Sequence, residues 1–143
     1  LRPLGEFINI GDHNPLPDTL DSEGFDLVSC YIGLHHCAPD QIDDFVRSIA
    51  RVLRPGGVFI LRDHDVRDER MRAFVALAHT VYNAGLGEPW DANSKERRHF
   101  ASIEHWCALL AGAGLRDTGA RLAQQHDPSD NLLMAFVKDG AAP

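Results

Sequence analysis

Apolar and polar positions fall into blocks along the chain, and each block has its own period. "FDLVSCYIGL" (25–34) is almost continuously apolar and rich in β-branched and aromatic residues, the pattern of a parallel strand buried on both faces. After it, Ile42, Phe45, Val46, Ile49 and Leu53 recur at helical spacing and make one apolar stripe. Pro39 suits a first-turn position, and Asp40, Asp43 and Asp44 complement the positive end of such a helix. Arg47, Arg51 and Arg54 load its other half, and Pro55-Gly56-Gly57 stops it. "VFILRD" (58–63) is the next buried strand, so residues 25–63 predict a parallel strand–helix–strand crossover.

The flanks follow the same logic. "FINIGD" (7–12) is a short apolar run closed by Gly and Asp and predicts another buried strand, followed by a Pro- and Asp-rich loop. Met71, Phe74, Val75, Ala78 and Tyr82 predict a second amphipathic helix ending near Asn83 and Gly85. "LGEPWDANSKERRHF" is then a long polar loop, a length that in a compact domain marks a lid or a disordered segment. Ser102 caps a third helix whose buried face carries Ile103, Trp106, Cys107 and Leu110. "LRDTGARLA" and "NLLMAFVK" predict an antiparallel pair that closes the sheet.

Composition narrows the classes. The 143 residues suit one domain with a sizeable core, and 44% hydrophobic with 24% charged residues is a globular balance. A net charge of −7 argues against a nucleic-acid partner, because phosphate backbones are held by clustered Lys and Arg. No apolar run approaches the roughly 20 residues of a membrane span, and no charged-then-apolar leader opens the chain. Cys30, Cys37 and Cys107 form no CxxC and fit reduced thiols, so the expectation is a cytoplasmic protein without membrane or nucleic-acid partners.

"YIGLHHC" (31–37) poses the sharpest chemical question, since His35, His36 and Cys37 are metal-ligand types. On a strand, adjacent side chains point to opposite faces, so His35 and His36 would not share one ion. A tetrahedral zinc site also wants ligands at loop spacings with a second pair to match, which is not supplied. The expectation is therefore no metal. An α/β protein with a His/Cys/Asp metal site stays open as an alternative, with His64, Asp65 and His13 as supplementary ligands.

The blocks "GDHNPLP" (11–17), "FDLVSCYIGLHH" (25–36) and "IARVLRPGGVFILRDHD" (49–65), with the terminal strand pair, resemble the later part of a class I S-adenosylmethionine-dependent methyltransferase domain of type 11. The resemblance implies an α/β fold with a Rossmann-like, mostly parallel sheet and a C-terminal antiparallel strand pair, incomplete at its N-terminal side. Residues 1–143 would be one such domain, in part. It implies S-adenosylmethionine as cofactor, with Asp12 accepting from the adenine amino group, the His13 backbone facing a ring nitrogen, and Cys30, Tyr31 and Ile32 along the methionine part. Asp12 as a plain turn cap, and Cys30 and Tyr31 as plain core, remain open.

His35 and His64 become candidate catalytic bases at the carboxyl edge of the sheet, with Asp63 or Asp65 to orient His64. Tyr82, Trp90, Arg97, His99 and Phe100 lie where the family builds its substrate cover, as pocket lining or as loop anchors. Gly85-Leu-Gly87 and Gly112-Ala-Gly114 follow helices and are read as stops; a nucleotide-gripping glycine turn must follow a strand and open a helix. The expectation is that the chain alone is inactive and binds cofactor weakly at best. The gap is expected to be met by upstream residues, by "FINIGD" sliding beside the 25–34 strand, or by another chain covering that edge. The acceptor is a small molecule or another methyl acceptor, and a methyltransferase-like assembly module is the alternative function.

Overall fold

A computed structural model describes residues 5–140. Strand β1 (Phe25–Tyr31) runs into a 3₁₀ turn (Leu34–His36), then helix α1 (Ile42–Val52) and strand β2 (Leu53–His64). Helices α2 (Glu69–Gly85), α3 (Trp90–Lys95) and α4 (Ile103–Gly112) follow, and strands β3 (Leu115–Ala123) and β4 (Asn131–Lys138) finish the fold. The sheet order is β1-β2-β4-β3, with β1 and β2 parallel and the other two pairings antiparallel.

The strand–helix–strand reading holds, and the two parallel strands end in register at Tyr31 and Arg62. Helix α1 stops one residue earlier than the periodicity suggests, because fully buried Leu53 already begins β2. The Pro-Gly-Gly segment is a bulge within that strand: pairing jumps from Phe25↔Leu53 to Leu27↔Val58. Gly57 is required there, since a Cβ would sit 2.8 Å from the Arg54 carbonyl oxygen and 3.2 Å from that of Phe25.

The core lies on one sheet face. Val28 and Cys30 of β1, Phe59 and Leu61 of β2, and Met134 and Phe136 of β4 pack under α1 and α4, which contribute Phe45, Val46, Ile49, Trp106 and Leu110. Ser102 caps α4 as expected, its hydroxyl oxygen accepting from the His105 N–H. The opposite face, with Leu27 57% exposed, meets no comparable layer among the described residues.

Three expectations are corrected. "FINIGD" is not a strand, and Phe7 is 89% exposed. The run pairs with no strand among the described residues, although β1 has an open outer edge there. It does not slide beside β1, which pairs only with β2 among the described residues. Helix α2 forms, but of its predicted stripe only Val75 is fully buried, against Val66 and Phe100; Phe74 and Tyr82 are exposed. The polar loop before α4 carries helix α3 and is tied down by Arg98. That guanidinium donates to Asn93 Oδ1, Glu96 Oε2, Thr80 Oγ1 and the Ala76 carbonyl.

Candidate functional site

Parallel strands that stop together leave a crevice at their carboxyl ends, the usual ligand position in open α/β sheets. Here the chain turns sharply after Tyr31. Ile32 takes φ +52°, costly for a β-branched residue, while its N–H still donates to the Arg62 carbonyl at 2.8 Å. Gly33 allows the turn to close, because a Cβ there would meet Cys30 Sγ at 2.7 Å. The chain then winds into the 3₁₀ turn that carries His35 and His36.

That turn corrects the geometry assumed from the sequence. His35 and His36 are not strand neighbours on opposite faces; their ring centroids are 4.2 Å apart. His79 of α2 stands edge-on to His35 at 4.9 Å, and His64, the last residue of β2, lies 5.4 Å from His79. The signal for His79 was available: it is one helical turn after Val75, on the face of α2 that turns inward.

Each ring on the strand side is oriented through Nδ1. His35 Nδ1 donates to Asp63 Oδ1 at 2.6 Å, His36 Nδ1 to the Arg97 carbonyl at 2.9 Å, and His64 Nδ1 to the Ser129 carbonyl at 3.1 Å. Acceptors on Nδ1 fix the proton there and leave Nε2 as a free lone pair. Asp63 thus orients His35, not His64. Asp65 accepts from the Ile103 N–H and from Arg67. His64 Nε2 faces His79 Nε2 at 3.3 Å.

Burial first, then the neighbouring imidazoles, lowers the pKa of His36 and pushes that of His79 down to about 4. His64 is also lowered, again chiefly by burial. These rings are therefore neutral at physiological pH. Burial and the Asp63 carboxylate push Cys30 and Cys37 up to about 12, so both stay thiols, without the thiolate that a nucleophile or metal ligand needs.

Two cavities open here. One, of about 650 Å³, is lined by Ile32, Arg62, His64, His79, Tyr82 and Asn131, among others. The second, of about 390 Å³, is lined by Asp12, His13, Lys95 and Arg97 and shares His36 and Glu96 with the first. Asp12 is ion-paired with Arg97 at 2.9 Å. The structure thus brings Asp12, His13 and Arg97 beside His36, and Ile32, His64 and Tyr82 around the larger cavity. Tyr31 is exposed at the sheet edge, and Cys30 packs beneath Gly33.

Trp90 lies outside both cavities, 71% exposed. Phe100 is buried under the histidines, 5.1 Å from both His35 and His79. His99 turns away towards Trp106 and His105, but its N–H donates to the His35 carbonyl at 2.6 Å. Sequence reasoning missed His79, Arg62 and Asn131.

A methyltransferase-domain profile matches residues 5–61. An S-adenosylmethionine-dependent methyltransferase of Methanosarcina mazei superposes at a TM-score of 0.62 with 10% identity, covering 92% of this chain and 66% of that one. The chain folds as a class I methyltransferase domain. The 1,6-didemethyltoxoflavin N1-methyltransferase of Burkholderia thailandensis, solved with bound 1,6-didemethyltoxoflavin and S-adenosylhomocysteine, aligns at a TM-score of 0.58 and 15% identity. That match covers 82% of this chain and 45% of the Burkholderia chain. The YcgJ protein of Bacillus subtilis gives 0.59 at 18% identity, with 92% and 70% covered. The chain therefore spans between 45% and 70% of the length of these proteins. No curated protein matches it. Among the described residues no helix is long and apolar enough to cross a membrane.

Proposed function

We propose that this domain forms the acceptor side and the adenosine side of an S-adenosylmethionine-dependent methyltransferase acting on a small molecule. The observation that carries this reading is the register Tyr31↔Arg62. Two parallel strands end together on a cavity walled by neutral histidines.

The residues fit one end of such a cofactor. The strained turn at Ile32 lifts the backbone away from the sheet and opens the crevice, and the Asp12 carboxylate stands at its rim. Asp12, the His13 backbone and Ile32 would hold the adenosine and thioether portions. Among the described residues the strand-to-helix turn at Gly33 carries a single glycine and no G-x-G-x-x-G run, so the carboxylate tail needs a grip from elsewhere. A bound cofactor would supply an electrophilic methyl on a sulfonium.

The chain's own residues then align the acceptor and manage its proton. Tyr82, Arg62 and Asn131 line the space for the acceptor, and Arg62 Nε donates to Asn131 Oδ1 at 3.0 Å, which fixes both. His64 has the better position of the two candidate bases. Its Nδ1 proton is committed to Ser129, and Nε2 meets His79, which lines the same cavity. His35 is wholly buried and serves to hold Asp63 and the turn.

General-base catalysis contributes roughly 10²–10⁴-fold. His64→Ala in the full-length protein is expected to lower turnover of the methyl acceptor by at least about 100-fold, with S-adenosylhomocysteine affinity unchanged. Unaltered turnover across the pH range would remove His64 from that role.

A further inference from the structure

Buried polar groups are nearly always paired, and a fully buried ring nitrogen without a partner is a costly exception. His35 Nε2 is such an atom: the residue is fully buried, and Nε2 has no hydrogen-bond partner among the described residues. Two half-buried imidazoles stand beside it. His35, His36 and His79 each offer a ring nitrogen, and these three atoms lie within 4.8 Å of one another.

We propose that His35, His36 and His79 form a three-imidazole site for a divalent first-row transition ion, zinc being the reference case. Imidazole is the ligand that zinc, copper, nickel and iron share. The outer supports are those a metal-bound histidine normally has: a carboxylate on one ring's far nitrogen and a backbone carbonyl on another's. Asp63 supplies the first at 2.6 Å from His35, and the Arg97 carbonyl supplies the second at 2.9 Å from His36. Zinc–nitrogen bonds of about 2.0–2.1 Å place tetrahedral ligand atoms about 3.3 Å apart, so closing the site takes roughly an ångström of ring movement. His36 and His79 line open cavities and have the room to make it.

Three protein ligands leave a fourth position open, the arrangement of metal sites that bind a water or a substrate atom. His36 and His79 line the same cavity as Arg62, His64 and Tyr82, which has room for a fourth ligand. An oxygen- or nitrogen-bearing ligand small enough for that cavity would complete the coordination sphere. His64, 3.3 Å from His79 through their Nε2 atoms, stands next to it.

The test needs neither cofactor nor acceptor, so it stands or falls apart from the methyl-transfer reading. The purified protein, stripped with chelator, is titrated with Zn²⁺ by calorimetry and with Co²⁺ by visible absorption. The expected result is one saturable equivalent of each, with Co²⁺ giving the strong visible bands of a low-coordinate site. His36→Gln and His79→Gln should each weaken Zn²⁺ binding by at least tenfold while the protein stays folded. Asp63→Asn should weaken it by roughly 10–100-fold through the loss of ring orientation. His105→Gln, on the surface of α4, should leave it unchanged. No saturable uptake, or uptake that survives both His36→Gln and His79→Gln, or an equal loss in His105→Gln, overturns the site.

Discussion

Two groups of histidines in this molecule differ in how their rings are held. At the mouth of the sheet, His35, His36 and His64 each donate Nδ1–H to a fixed acceptor, and His79 closes on them from α2. At the start of α4, His99 and His105 meet Trp106 edge to face at 6.2 and 5.2 Å. The second group is a packing arrangement: its rings cover an indole. The first spends a buried carboxylate and two backbone carbonyls on directing rings, and directed lone pairs are what proton transfer or coordination requires. Aromatic proximity alone does not separate the two groups. Hydrogen bonds to the far nitrogens do.

The sharpest way to break the contrast is to remove the most deeply held ring. His35 and Asp63 are 0% and 1% exposed, and Asp63 Oδ2 has no partner among the described residues. His35→Ala would leave that carboxylate buried with only the His64 N–H on Oδ1. Leaving a buried carboxylate without its hydrogen-bond donor costs about 1–3 kcal/mol or somewhat more. Urea denaturation should show a loss of that size, well beyond any single change in the α4 group. A loss under about 1 kcal/mol would mean that the pair is not a structural anchor.

How far the site could be read from the sequence depends on the range of the interaction. Apolar runs and periodicity revealed the crossover from Phe25 to His64, because parallel strands and their helix are written in local patterns. Ser102 as a cap was legible for the same reason. The turn at Leu34–His36 was missed since the apolar run continues through Gly33, whose real message was the tight approach to Cys30 Sγ. His35 and His36 lie on that turn and not on a strand, so the opposite-face rule for strand neighbours does not apply to them. Asp63 could not be assigned to His35 because that bond joins residues 28 apart in sequence. "FINIGD" misled because an apolar run is a local pattern, whereas a strand is made by pairing with a distant one, which this run does not do among the described residues.

A smaller effect distinguishes the groups by pH. His79 has an ordinary value of 6.5 and is pushed down to about 4 in the fold by burial and then by His35, His64 and His36, with Glu96 opposing. A folded value below the unfolded one means that the unfolded chain takes up the proton first. Metal-free protein should therefore lose stability as pH falls from about 6.5 towards 4, and His79→Gln should flatten that slope in urea midpoints measured across the range. The same slope in the variant would assign the effect to other groups.

The smallest expected change is also the control on which the contrast depends. His105 is exposed in the first turn of α4, and its link to the cap runs through its backbone N–H, which a substitution leaves in place. Alanine is the better helix former, and the lost edge contact with Trp106 is worth a comparable amount of opposite sign. His105→Ala should thus shift stability by no more than about 0.5 kcal/mol. Methyl transfer by the full-length protein should be unaffected. A large loss of activity would show that the α4 histidines belong to the working site, reached through the His99 N–H on the His35 carbonyl at 2.6 Å, and the two groups would be one.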